Sequence, residues 1–238
     1  MTLTAARSLE LTAKQKLLEC EAGEIRSTWH CIYSVRFWQF FSMMILSNVF
    51  GTFFSYSYKV YGENQEPHPP ISDTTLTWAA SIGSGLVNGV SRITLGAVVD
   101  RVGFKKLFAF LMAIQLINSL TCYWAAFIPS VYFACVMLNY MSLGGMFAIF
   151  PVAVTNVFGL ATGPKIYVWI LLGTFIASLI ILIETTYLED LLGFAALFYF
   201  GSVTQIATLI ILYYYKEELD VERLRKHNAL CSQTEEED

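Results

Sequence analysis

The stretch Asn88-Gly89-Val90-Ser91-Arg92-Ile93-Thr94-Leu95-Gly96-Ala97-Val98-Val99-Asp100-Arg101-Val102-Gly103-Phe104-Lys105-Lys106 decides how this chain is read. It opens inside an apolar segment, closes in a short basic loop and leads into a second apolar segment. Arg92 stands seven residues before Val99, about 10 Å from that end of a helix rising ~1.5 Å per residue. A guanidinium keeps its charge, and holding it away from water costs on the order of several kcal/mol, so it must face protein or a wet cavity. Ser84 and Asn88 precede it at steps of four residues and share its helix face. Gly85, Gly89 and Gly96 keep neighbouring faces small enough for close helix contact. A polar stripe with one fixed cation is what an anion pathway through a membrane needs.

The composition around this stretch belongs to a membrane protein. Hydrophobic residues make up 55% of the chain and charged ones 14%, with a mean hydropathy of +0.54, whereas soluble domains carry roughly 25% charged residues. The net charge of −4 comes largely from Glu235-Glu236-Glu237-Asp238 and gives no sign of nucleic-acid binding. Cys20, Cys31, Cys122, Cys135 and Cys231 have neither metal nor disulfide spacing and read as buried packing and reduced thiols. No cleavable signal is visible, because residues 1–36 are polar and helix-prone ahead of the first apolar run.

Six apolar segments are each long enough to span, at ~20 residues apiece. They run over about Phe37–Lys59, Leu76–Val99, Leu107–Ile128, Val131–Val157, Ile166–Thr185 and Leu191–Tyr215. Between them lie a polar proline-bearing loop at 61–74, a basic loop at 100–106 and a minimal turn at Pro129-Ser130. A Gly/Thr/Pro loop follows at 158–165 and a tight acidic turn at 187–190. The chain therefore divides into an N-terminal segment, 1–36, with the pattern of an amphipathic helix or a solvated linker; a six-helix bundle, 37–215; and a charged tail, 216–238. Thirteen of the fifteen lysines and arginines fall in the N-terminal segment, the 100–106 loop, Lys165 and the tail. Lys59 alone sits on the opposite side, so both termini are expected in the cytoplasm, with the plasma membrane favoured.

The pattern Asn88-Gly89-x-x-Arg92-x3-Gly96-x3-Asp100-x2-Gly103 with Lys105-Lys106 resembles the helix-loop-helix signature of the major facilitator superfamily. Its Asn-Gly-x-x-Arg form is similar to the eighth helix of oxalate/formate exchangers and related monocarboxylate porters. Arg36-Phe37-Trp38 before Asn48 and Gly51 resembles the seventh helix. Gly144-Gly145-x-Phe147-x-x-Phe150-Pro151 with Phe158-Gly159, Gly163 and Tyr167 resembles the tenth helix, its loop and the start of the eleventh. The resemblance covers about 34–215. It implies an all-α membrane fold: a C-terminal six-helix half built as two inverted three-helix repeats, which Gly51-Thr52-Phe53-Phe54 and Gly145-Met146-Phe147 weakly echo.

The resemblance implies transport of a small organic anion such as a monocarboxylate, by symport or antiport, with a proton as the candidate coupled ion. Rocking between two bundles requires a second six-helix half, from a second copy of the chain or from an N-terminal half. Oxalate exchangers carry a second membrane cation at the position of Thr174, so one cation here points to a monoanion or another solute. Phe104 likewise stands where the family often has arginine.

Each candidate residue carries two readings. Arg92 either binds the substrate carboxylate bidentately, with Asn88, Tyr56 and Thr174 as cavity neighbours, or snorkels or pairs with an acid for structure. Gly96, Asp100, Arg101, Gly103 and Lys105 form a gating or structural motif. Ser55, Tyr56 and Asn88 either line a cavity or hydrogen-bond between helices. Phe150-Pro151 reads as a kink with a packed aromatic, or as a gate. Glu184 reads as an interfacial acid, with proton carriage the alternative. His30, His68 and His227 lie outside the spans and no catalytic or phosphate-cradling motif occurs, so no enzyme, cofactor or metal is expected. The competing function is a non-transporting pseudo-carrier or truncated remnant acting as a membrane interaction protein.

Overall fold

The computed structural model describes residues 31–63, 68–159 and 162–215; the expectations for the N-terminal segment and for the tail fall outside them, save residues 31–36. Among the described residues the chain is all-helical, with six helices long and apolar enough to cross a membrane. Helix α1 is Val35–Glu63. Helix α2 runs over Asp73–Val102 and contains a wide π-turn at Ile82–Val87. Helix α3 is Phe104–Ala125 and α4 is Pro129–Phe158. Helix α5 comprises Gly163–Ile183 and a π-turn at Glu184–Leu188, and α6 is Glu189–Tyr214.

The helices are longer than their apolar runs because local chemistry extends them. At the proline-bearing loop, α1 continues to Glu63 and α2 starts at Asp73. Ser72 caps α2 by accepting from the Thr75 N–H at 3.3 Å, and Lys59 pairs with Asp73 at 2.7 Å and Glu63 at 3.7 Å. The 100–106 loop shrinks to Gly103, whose φ of 86° only glycine holds without strain. Pro129 is the first residue of α4 rather than part of a turn, since its missing N–H is not needed there. The acidic 187–190 segment stays helical, and the chain breaks instead at Gly193, with φ 72°.

Packing follows an exchange of the first three helices with the last three. Helix α2 packs on α4 as α5 packs on α1; α3 packs on α4 as α6 packs on α1; and α3 and α6 pack on each other. The arrangement matches two inverted three-helix repeats. It also leaves α2 and α5 as the least covered helices, with 17% and 28% of their central windows buried against 61% for α1.

Two aromatic cores stand at the two ends. One gathers Phe40, Phe104, Phe108, Phe150 and Tyr215, with Phe108 and Phe150 edge-to-face at 5.2 Å. The expected packing of an aromatic beside Pro151 is therefore met by Phe150, with Pro151 inside a continuous α4. The other core gathers Phe54, Tyr61, Tyr132 and Phe198. A buried polar seam joins helices α1, α3, α4 and α6 through Gln115, Asn118, Ser119, Asn139, Ser202 and Gln205. Ser119 and Ser202 share a hydrogen bond at 2.7 Å between α3 and α6, and Asn118 Nδ2 donates to the Cys135 carbonyl of α4 at 2.9 Å. Such bonds hold helices together where hydrophobic burial gives no preference over lipid.

Candidate functional site

The site grows from the exposed face of α2. Arg92 lies ten residues from Val102, about 15 Å in at ~1.5 Å per residue. Its Nε donates to Asn88 Oδ1 at 2.9 Å, one helical turn back. The guanidinium lies 5.5 Å from the centre of the Phe147 ring on α4, in cation–π range. These two contacts hold the stem and one N–H while the side chain stays exposed. Lys59 forms the ion pairs at the α1–α2 loop, and among the described residues no ion pair includes Arg92. The acid partner, one form of the structural alternative for this arginine beside snorkelling, is therefore not found among the described residues.

A close approach of two backbones sets this geometry. Ser91, buried, donates to its own Asn88 carbonyl at 2.8 Å, and Gly144 of α4 lies against that carbonyl. A Cβ on Gly144 would fall 2.5 Å from the Asn88 oxygen, so only a hydrogen lets α4 bring Phe147 up to Arg92.

The other expected residues fall in different places. Tyr56 is 70% exposed on α1. Its neighbour Ser55 bonds between helices: its hydroxyl donates to Gly51 O at 2.8 Å and accepts from Asn139 Nδ2 at 3.0 Å. Asn139 also donates to Gly51 O at 3.0 Å and faces Gln115 at 3.4 Å. Thr174 is half-buried on α5 and gives its hydroxyl to Leu171 O of its own helix at 2.7 Å. The structure thus brings Asn88, Arg92 and Phe147 together and places Ser55, next to Tyr56 in the chain, in a second polar group with Asn139.

At the basic end, a Cβ added at Gly96 would meet Ala148 at ordinary contact distance, and Asp100 and Arg101 are exposed. They rim a cleft of about 430 Å³ between the ends of α2 and α4, floored by Phe104 and Tyr215. Lys105 Nζ donates to the carbonyls of Tyr213 at 3.0 Å and Tyr215 at 2.6 Å. It closes the end of α6, where cations suit the free carbonyls.

Asn139, Tyr140 and Gln115 do not stand out in the sequence as site residues. Each is a polar group inside an apolar segment, which is a signal, but Asn139 joins two helices here and nothing in its spacing announces that. Among the described residues no group of three metal-ligating side chains occurs.

A six-helix membrane bundle with a fixed cation on its least covered helix is an arrangement that a facilitator-type membrane transporter would have. The sequence model described as Major Facilitator Superfamily matches residues 32–232, and the chain belongs to that superfamily. Among curated proteins none matches the chain.

Proposed function

We propose that this chain is half of a carrier that moves a small organic anion, a monocarboxylate, by alternating access. The observation that carries the reading is Arg92. It is a permanent cation far from either end of α2, steadied by Asn88 and Phe147, exposed, and without an ion pair among the described residues. Its remaining N–H groups suit the two oxygens of one carboxylate, and a single such cation suits a monoanion. Phe147 bounds the position, and Ser55 with Asn139, beside the exposed Tyr56, forms a second polar wall. Thr174 contributes bulk in place of a second cation. Gly96, Asp100, Arg101, Gly103 and Lys105 form the gate at the basic end, with Lys105 as its fixed part and the Asp100–Arg101 rim as its moving part.

The second wall of the pathway is another six-helix half, a second copy or an N-terminal half, laid against the open faces of α2 and α5. The lysine and arginine bias supports placing both termini in the cytoplasm; the plasma membrane as host and a proton as the coupled ion are parts of the reading that rest on the family resemblance alone.

Uptake of a labelled monocarboxylate into reconstituted vesicles tests the reading. Arg92→Ala and Arg92→Lys both lose uptake while still inserting, because lysine cannot present a planar fork. Full uptake by Arg92→Ala would sink the role.

A further inference from the structure

Glu184 is an acid that the anion site leaves unused. It is expected at a wet interface, yet it is only 3% exposed. It opens the π-turn Glu184–Leu188, whose wide ring is closed by the Glu189 N–H on the Glu184 carbonyl. A π-turn holds one residue more than an α-turn and re-aims the side chains around it. Here Glu184 is turned inward while Tyr187, three residues on, is 69% exposed. The carboxyl's Oε1 is buried with no hydrogen-bond partner.

The turn runs directly into α6, which breaks at Gly193 just beyond it. The titratable groups at this end include Tyr58, Lys59, Tyr61 and Glu63 of α1, His68 of the α1–α2 loop, Asp73 of α2, Cys122 and Tyr123 of α3, Tyr132 of α4, and Tyr187 and Glu189 along its own chain. No ion pair among the described residues includes Glu184. A permanent carboxylate placed for structure would have donors or a cation around it. An intramembrane acid lacking both, at a helix irregularity beside a glycine break, has the features of a site that gains and loses a proton with a conformational change.

We propose that Glu184 is a proton-binding site whose occupancy is tied to opening of the α5–α6 end. A proton from the adjoining water adds to a carboxylate oxygen as that end closes, giving the carboxylic acid, and leaves as the π-turn swings outward. The coupling to opening rests on the carrier reading; the binding of the proton does not.

The test is a pH titration by infrared difference spectroscopy of the whole protein in lipid. Wild type is compared with Glu184→Gln, of equal size, and Glu184→Asp. The carboxylic-acid C=O band that titrates in wild type is lost in Glu184→Gln and shifted in frequency in Glu184→Asp. Identical titrating bands in wild type and Glu184→Gln overturn the proposal. Should Glu184→Gln fail to insert, the aspartate variant decides, since an unshifted band places the titrating acid elsewhere. The band is read without transport, so a failure of the Arg92 site leaves this result standing on its own.

Discussion

At the residue scale, the Arg92 site depends on a missing side chain as much as on the arginine. Gly144 lets α4 approach the Asn88 carbonyl, and that approach sets Phe147 against the guanidinium. Gly144→Ala drives a methyl to 2.5 Å from that oxygen, so α2 and α4 must part at a cost of about 1–3 kcal/mol. The expected result is a lower unfolding temperature in detergent together with weaker anion uptake; an unchanged unfolding temperature would refute the contact. Arg92 and Asn88 were legible in the sequence because their polarity and four-residue spacing stand out in an apolar segment. The role of Gly144 was not, since in a string of letters a glycine that admits a neighbour looks like one that merely occurs. Glu184 was legible as an acid but not as a buried one. A single extra residue in a helical turn rotates the faces around it by about 100°, and no pattern in 184–188 marks the turn.

At the scale of elements, all six helices could be read from apolar length, whereas their ends could not. Helix ends are set by single contacts: Ser72 capping α2, Lys59 bridging to Asp73, Lys105 on the carbonyls closing α6. Lys105→Met removes two charge-assisted bonds at a half-buried site, worth about 1 kcal/mol after solvent screening. Amide exchange in the last turn of α6 speeds up while the middle of α6 stays protected; equal protection of the last turn would show the latch to be idle. Gly193 offers a second test. A Cβ there meets nothing within 4 Å, yet φ is 72°, so Gly193→Ala loses stability through backbone strain alone, about 1–2 kcal/mol. Thermal unfolding should register that loss, and a stabilised variant would mean that the break is not held in the membrane.

At the scale of the molecule, the exchange of α1–α3 with α4–α6 leaves α2 and α5 uncovered together, and the cation sits on one of them. The family signature made the half-bundle readable in advance, because spaced glycines and charges survive as letters. The pairing of helices rests on contacts between distant segments, which a linear pattern does not contain. Gly85 and Gly89 lie on the open face of α2 with free space beyond them. Replacing both by leucine should leave the bundle folded and inserted but abolish cross-linking to a second half. Persistent cross-linking would place the partner elsewhere.

The measurement that bears most directly on the account is thiol accessibility at the position of the cation. In a chain with its native cysteines replaced, Arg92→Cys is exposed in the membrane to a charged, water-soluble thiol reagent. An aqueous anion pathway along α2 predicts rapid modification, slowed when the cycle is locked with the opposite end open. A thiol that stays unmodified by the charged reagent, yet reacts with a lipid-soluble one, would put Arg92 against the bilayer and contradict the carrier site.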